Sequence, residues 1–319
     1  MFLNFRRMLK ILGGITLIAI ILPMAAFAHS APATHSNGSN THHYNTHIVL
    51  YPTIQQVQRE KKSNRFAVQG SGDLSYYGGP VQETPVSYII FWGSSWLTKT
   101  GALNPTGQIV KKYLVDMGGT SFDNILTQYY DYNTNIANSS VVKGTWVDKS
   151  YPAYDYSCGG KTVEDSSIQN EVTKAISANH WASDGSNATY FVYTPNGYYV
   201  NDGAGDCSMQ VFCAYHNYSN SGLSYGAMPY PINLSACGVP SSPNGNRAGD
   251  SLASVTSHEQ FEAITDPQPG SGWVDNAGYE IGDKCAWDFS AGYTYLNNGG
   301  VFEIQTEYSN ATSSCVNSY

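Results

Sequence analysis

Charge is the scarcest commodity in this 319-residue chain, with only 13% of residues charged. Lys and Arg number 16 against 24 acids, giving a net charge of −8, which argues against nucleic acid as a partner. No Cys-x-x-Cys pair occurs, so the six cysteines do not read as a zinc ribbon or a dithiol redox motif. Beyond the N-terminus no segment is long and apolar enough to span a bilayer. Internal repeats are absent, and after about residue 72 no second linker interrupts the composition, which points to one domain of roughly 245 residues with a single large core.

What the chain does contain begins with an export signal. Arg6, Arg7 and Lys10 form a positive start, residues 11–27 are nearly all apolar, and Ala26-Phe27-Ala28 is an A-x-A cleavage site. Residues 1–28 are therefore expected to be a signal peptide and the mature protein to be secreted, extracellular and off the membrane. Residues 29–72 are rich in Ser, Thr, Asn and His, with a short helical stretch at 54–62. They read as a disordered linker or as a pro-segment cut near Arg59 to Arg65. His29, His35, His42, His43 and His47 all fall here; a metal-scavenging tail is the sharper reading of them and an inert linker the simpler one. In an exported chain an even number of cysteines reads as disulfides. Six cysteines allow fifteen pairings. Cys207–Cys213 and Cys285–Cys315 are expected, leaving Cys158–Cys237.

The stretch carrying chemistry is Ser257-His258-Glu259-Gln260-Phe261-Glu262-Ala263-Ile264-Thr265-Asp266-Pro267. It reads as a helix with Leu252, Val255 and Phe261 as its apolar stripe, capped at Asp250 or Ser251 and stopped before Pro267. His258 and Glu262, four apart, share a face; Glu259 sits about 100° round the axis. Zinc peptidases use His-Glu-x-x-His with both histidines as ligands and the Glu as general base. Here a carboxylate replaces the second His, which zinc accepts. With eight His and nine Glu in the chain, chance predicts about 0.006 such His-Glu-x-x-Glu strings. The plain alternative is a wet surface helix. Downstream, Glu280 fits a third ligand and Asp283 a carboxylate that holds a ligand's ring nitrogen. The weaker alternative for that pair is an exposed turn, or a calcium site made with Asp266 and Asp275. His216 fits either a ligand or a group polarising a carbonyl in the transition state; the alternative is a satisfied core histidine. His180 reads as a helix-end contact.

Around this helix the pattern is mixed α/β (α+β). Strands are expected at 86–92, 140–147 and 188–193, with two more at 211–218 and 223–230 close to the motif helix. Helices are expected at 107–117, 122–130 and 166–182, and an edge or lid strand at 302–308. The whole reads as one metallohydrolase-like domain, residues 73–319, with a mixed sheet, an active-site helix and disulfide stabilisation.

Tyr76-Tyr77-Gly78-Gly79-Pro80-Val81, followed by Ile89-Ile90-Phe91-Trp92-Gly93, resembles the opening of the exordium or phosphate-induced-protein-1 family of secreted proteins. Cys207…Cys213-x-x-His216, Thr265-Asp266-Pro267 and Glu280…Cys285…Cys315 are similar too, so the resemblance covers about residues 74–315. It implies a secreted, cell-wall or extracellular protein, linked in plants to growth regulation. Plant members have apolar or small residues where His258-Glu259-x-x-Glu262 stands, so that setting does not carry over to catalysis.

Two functions follow. The first is a secreted zinc-dependent hydrolase, expected to be a metallopeptidase acting on peptide or protein, with Zn²⁺ on His258, Glu262 and Glu280 and with Glu259 as base. The second is a non-catalytic exordium-like protein that binds a cell-wall component or partner through aromatic strands. A monomer is expected in either case.

Overall fold

The two most apolar runs, VSYIIFW and ATYFVY, lie side by side at the centre of the protein. The structure, a computed structural model, describes residues 48–62 and 72–319. The signal-peptide reading and the five N-terminal histidines lie outside those residues. Six strands form one mixed sheet: β1 (Ile48–Pro52), β2 (Val86–Trp92), β3 (Val141–Asp148), β4 (Ala188–Tyr193), β5 (Phe212–Tyr218) and β6 (Ser224–Met228). Their spatial order is β1-β5-β6-β4-β2-β3. The pairs β2–β3, β2–β4 and β4–β6 are parallel, whereas β5 runs antiparallel to both β6 and β1. Parallel strands are covered on both faces, which is why β2 and β4 are apolar throughout.

Alternation divides these strands between two cores. Ile89, Phe91, Phe191 and Tyr193 face the layer of α2 (Pro105–Asp116) and α4 (Arg247–Thr265). Tyr88, Ile90, Tyr190 and Val192 face Ile168 and Val172 of α3 (Asp165–Asn179). α2 starts where Asn104 accepts from the Gly107 N–H, with Pro105 at its first position. α3 ends on His180, whose left-handed backbone (φ 52°) returns its N–H to the Ile176 and Ser177 carbonyls. His180 is thus a helix cap.

Four expectations change. The segment 48–62 is no linker: β1 completes the sheet beside β5, and α1 (Ile54–Lys62) follows it. The rest of the 29–72 reading, 29–47 and 63–71, lies outside the described residues. The expected helix at 122–130 is a 3-10 turn, Asp123–Gln128. There the Thr127 hydroxyl and the Gln128 amide donate to carbonyls three residues back, taking acceptors from a longer helix. The expected strand at 302–308 divides into Val301–Phe302 and Glu307–Ser309, which pair with different partners. Between them the chain is buried on every side, so no alternation survives.

The fourth change is the disulfide pairing. All six cysteines are bonded, but as Cys158–Cys207, Cys213–Cys237 and Cys285–Cys315. Only the last matches the expectation. Strand Lys161–Glu164 pairs with Tyr198–Asn201, which brings Cys158 to Cys207, while Cys213 joins the core beside Ala236 and Cys237. Peptide mapping without reduction is expected to recover these three linked pairs and no free thiol. Closing loops of 24 to 49 residues, each bond is worth about 3–4 kcal/mol in the chain-entropy account. The disulfides are consistent with secretion, and no helix among the described residues is long and apolar enough to cross a membrane.

Candidate functional site

α4 begins a turn earlier than its sequence suggests, because Asn246 accepts from the Gly249 N–H. Asp250, one expected cap, lies inside the first turn and accepts from Ser242 and Asn244. From Gly249 to Thr265 every residue is buried, including His258, Glu259 and Glu262 at 0% exposure. That removes the wet-helix alternative. On most of its circumference α4 has partners for its polar groups: Tyr113 donates to Gln260, and Tyr193 bonds Thr256. The His258 face is different.

At about 100° per residue, Glu262 lies about 40° from His258 and Glu259 about 100°, so Glu262 is the middle side chain of the three. Each of its oxygens meets an imidazole. Oε1 lies 2.9 Å from His258 Nε2, and Oε2 lies 3.5 Å from Nδ1 of His216 on β5. Glu259 Oε2 is 3.3 Å from the same Nδ1. The loop beyond Pro267 closes the other side. Asp283 donates its backbone N–H to Glu262 Oε1 at 3.0 Å and sets Oδ1 3.8 Å from His258 Nε2. Asp283 Oδ2 accepts from the Glu280 N–H, and Glu280 Oε1 lies 3.6 Å from His216 Nε2.

This arrangement brings His216, His258, Glu259, Glu262, Glu280 and Asp283 together, and all but Glu280 fall into two groups. Ligand atoms of His258, Glu262 and Asp283 converge within 4.8 Å, as do those of His216, Glu259 and Glu262. Glu280, expected as the third ligand beside His258, stands instead on the far side of His216, and Asp283 occupies the place expected of it. The calcium alternative fails for a local reason. Asp266 is engaged by the N–H groups of Gly270, Ser271 and Gly272, and Asp275 by those of Ala277 and Tyr279 and by Lys284.

Several contributors carried no legible signal. Gln305, from the irregular stretch before Glu307–Ser309, places its amide 3.1 Å from His258 Nδ1 while donating to the Gly282 carbonyl. Tyr51 of β1 stacks on the His258 ring at 3.9 Å, and Trp287 stacks on Tyr51. Glu307 lies buried beneath, touching Ser257. Gly282 has a strict role, since a Cβ there would sit 2.6 Å from His258 Nδ1 and 3.0 Å from Glu262 Oε1. Gly282→Ala is expected to destabilise the fold by about 1–3 kcal/mol through overpacking. Denaturant melts of both proteins check this, and an unchanged midpoint would show that the loop gives way freely.

The electrostatics are dominated by burial. Five carboxylates (Glu259, Glu262, Glu280, Asp283 and Glu307) share the space with two imidazoles. Burial pushes the Glu280, Asp283 and Glu307 carboxyls well above their usual range, and raises Glu259. Burial also opposes ionisation of Glu262, yet His258 and His216 together outweigh it and hold this one carboxyl down at about 2. For His258 burial favours the neutral ring, and Glu262 reverses that, lifting it to about 10. Hydrogen bonding leaves much of this set unsatisfied. His258 Nε2, Glu259 Oε1, Glu262 Oε2, both Glu280 oxygens and Glu307 Oε2 are buried without a hydrogen-bond partner in the protein. His258 Nε2, Glu262 Oε2 and Glu280 Oε1 are held by ion-pair contacts alone; buried polar atoms without hydrogen bonds are costly, and here they cluster with the nitrogen and oxygen donors that bind divalent cations. The donor set fits a metal ion.

No family model matches the chain, and no curated protein or solved structure matches it. The reading of the site therefore rests on its own chemistry.

Proposed function

We propose that this protein is a secreted, metal-dependent hydrolase of metallohydrolase-like fold, acting on peptide bonds, with zinc as the expected ion. The observation that carries the reading is the Glu262 carboxylate: wholly buried, flanked by two imidazoles, with one oxygen lacking any hydrogen bond. His258, Glu262 and Asp283 would hold the ion. When bound, zinc supplies a Lewis acid and a water whose pKa falls to about 7.

The remaining roles belong to the chain. Glu259 Oε1 is free to take a proton, because its partner oxygen is the one turned to His216. His216 holds that carboxylate in place through Nδ1, and its Nε2 faces the Asp266 carbonyl. Gln305 meets the His258 ring at its edge. Substrate access also requires movement: the Tyr51–Trp287 stack lies over His258, and β1 carries no disulfide to the body. The pro-segment reading of 29–72 fits this, since cleavage near Arg59 to Arg65 would free β1. The resemblance to exordium-like proteins supports an extracellular setting.

Incubating the secreted protein with a peptide library, with and without chelator, tests the proposal. Cleavage that chelation abolishes and zinc restores is the expected result; cleavage indifferent to chelator, or none before and after removal of 48–62, would contradict it.

The second reading, an extracellular binding protein, is favoured by one observation. Tyr154, Tyr156 and Tyr198 meet edge to face, with Lys161 over two of the rings, and Tyr156 is 66% exposed. Such an aromatic surface suits a wall polymer. Pull-down on insoluble polysaccharide, lost in Tyr156→Ala, is what that reading expects.

A further inference from the structure

Glu262 has two oxygens, and the structure turns each towards a different histidine. We propose that the site holds two divalent cations bridged by Glu262, one with His258 and Asp283, the second with His216 Nδ1 and Glu259 Oε2. This rests on the metal reading of the same site and extends it to a second ion position.

The second position is built as a metal site in its own right. His216 Nε2 lies 3.3 Å from the Asp266 carbonyl, an acceptor for its N–H. A histidine ligand ordinarily donates its other ring N–H to a carbonyl or carboxylate in this way. Nδ1 faces two carboxylate oxygens, Glu259 Oε2 at 3.3 Å and Glu262 Oε2 at 3.5 Å. These three atoms converge within 4.8 Å of one another at 0% exposure, the spacing and donor types that a divalent cation takes.

The helix geometry explains the bridge. Glu262 lies angularly between His258 and Glu259, so it alone on α4 reaches both positions. Glu259 binds the second ion through Oε2 and keeps Oε1 for a proton, so the proposal leaves its role in the hydrolase intact.

Native mass spectrometry of the full secreted protein, stripped of metal and titrated with zinc, reads the stoichiometry directly. The wild type is expected to take up two ions, and His216→Gln and His258→Gln one each. With Co²⁺ as probe, the wild type should give the paramagnetic resonance signature of a coupled pair, and His216→Gln that of an isolated ion. A wild type that stops at one ion under excess zinc would overturn the bridged pair while leaving the single-ion hydrolase standing. Uptake of no ion would overturn both. The wild-type count needs no variant, so a misfolded mutant cannot obscure it.

Discussion

Glu259→Gln is expected to yield a folded protein, with its three disulfides and the ion at His258 retained, that cleaves its substrate about 10²–10⁴-fold more slowly. Glutamine fills the same space on the buried face of α4, so packing against β5 is preserved. What it lacks is an oxygen able to accept a proton at Oε1, the atom that has no hydrogen-bond partner in the protein. The loss should appear in kcat rather than KM, because a proton acceptor acts in the transition state and not in substrate binding. Steady-state kinetics on any peptide the wild type cleaves will check this, with near-UV circular dichroism as the control for folding. Activity within a factor of two of wild type would remove Glu259 from the chemistry.

Glu262→Gln should have the largest structural consequence of any single change in the molecule. Its carboxylate is the one that stays ionised through the attraction of His258, and it also faces His216. An amide removes the one carboxylate that both rings share, in a region closed to water. Breaking a fully buried pair by removing one partner costs about 3–5 kcal/mol, so the denaturation midpoint should drop well below that of Glu259→Gln. Comparing the two melts isolates the role of charge, since the substitutions are chemically identical and three residues apart on one helix. Equal midpoints would mean that Glu262 is no more central than its neighbour.

The sequence made some of this legible. Apolar runs at 86–92 and 188–193 announced central strands because parallel strands are covered on both sides. His258, Glu259 and Glu262 were readable because a helix turns spacing into position. Their setting was less so. Nothing local distinguishes a helix buried from Gly249 to Thr265 from one with a wet face, since its polar residues are satisfied by Tyr113 and Tyr193 from distant segments. The same long range hid the exchange of places between Glu280 and Asp283, which depends on how the Gly282 turn presses against His258. Gln305 and Tyr51 reach the site from opposite ends of the chain. β1 was masked by its surroundings: IVLYP is strand-like, but it sits in a segment whose Ser, Thr, Asn and His content reads as linker. The cysteine pairs followed strand pairing at 161–164 and 198–201, which no spacing rule encodes.

Metal analysis of the purified secreted protein tests the central claim most directly. By plasma mass spectrometry after gentle purification, the wild type should contain a stoichiometric divalent ion, and Glu262→Gln handled identically should contain less than about a tenth as much, as loss of a shared ligand requires. A wild type that is metal-free, cannot be reloaded with zinc and is indistinguishable from Glu262→Gln would contradict the account.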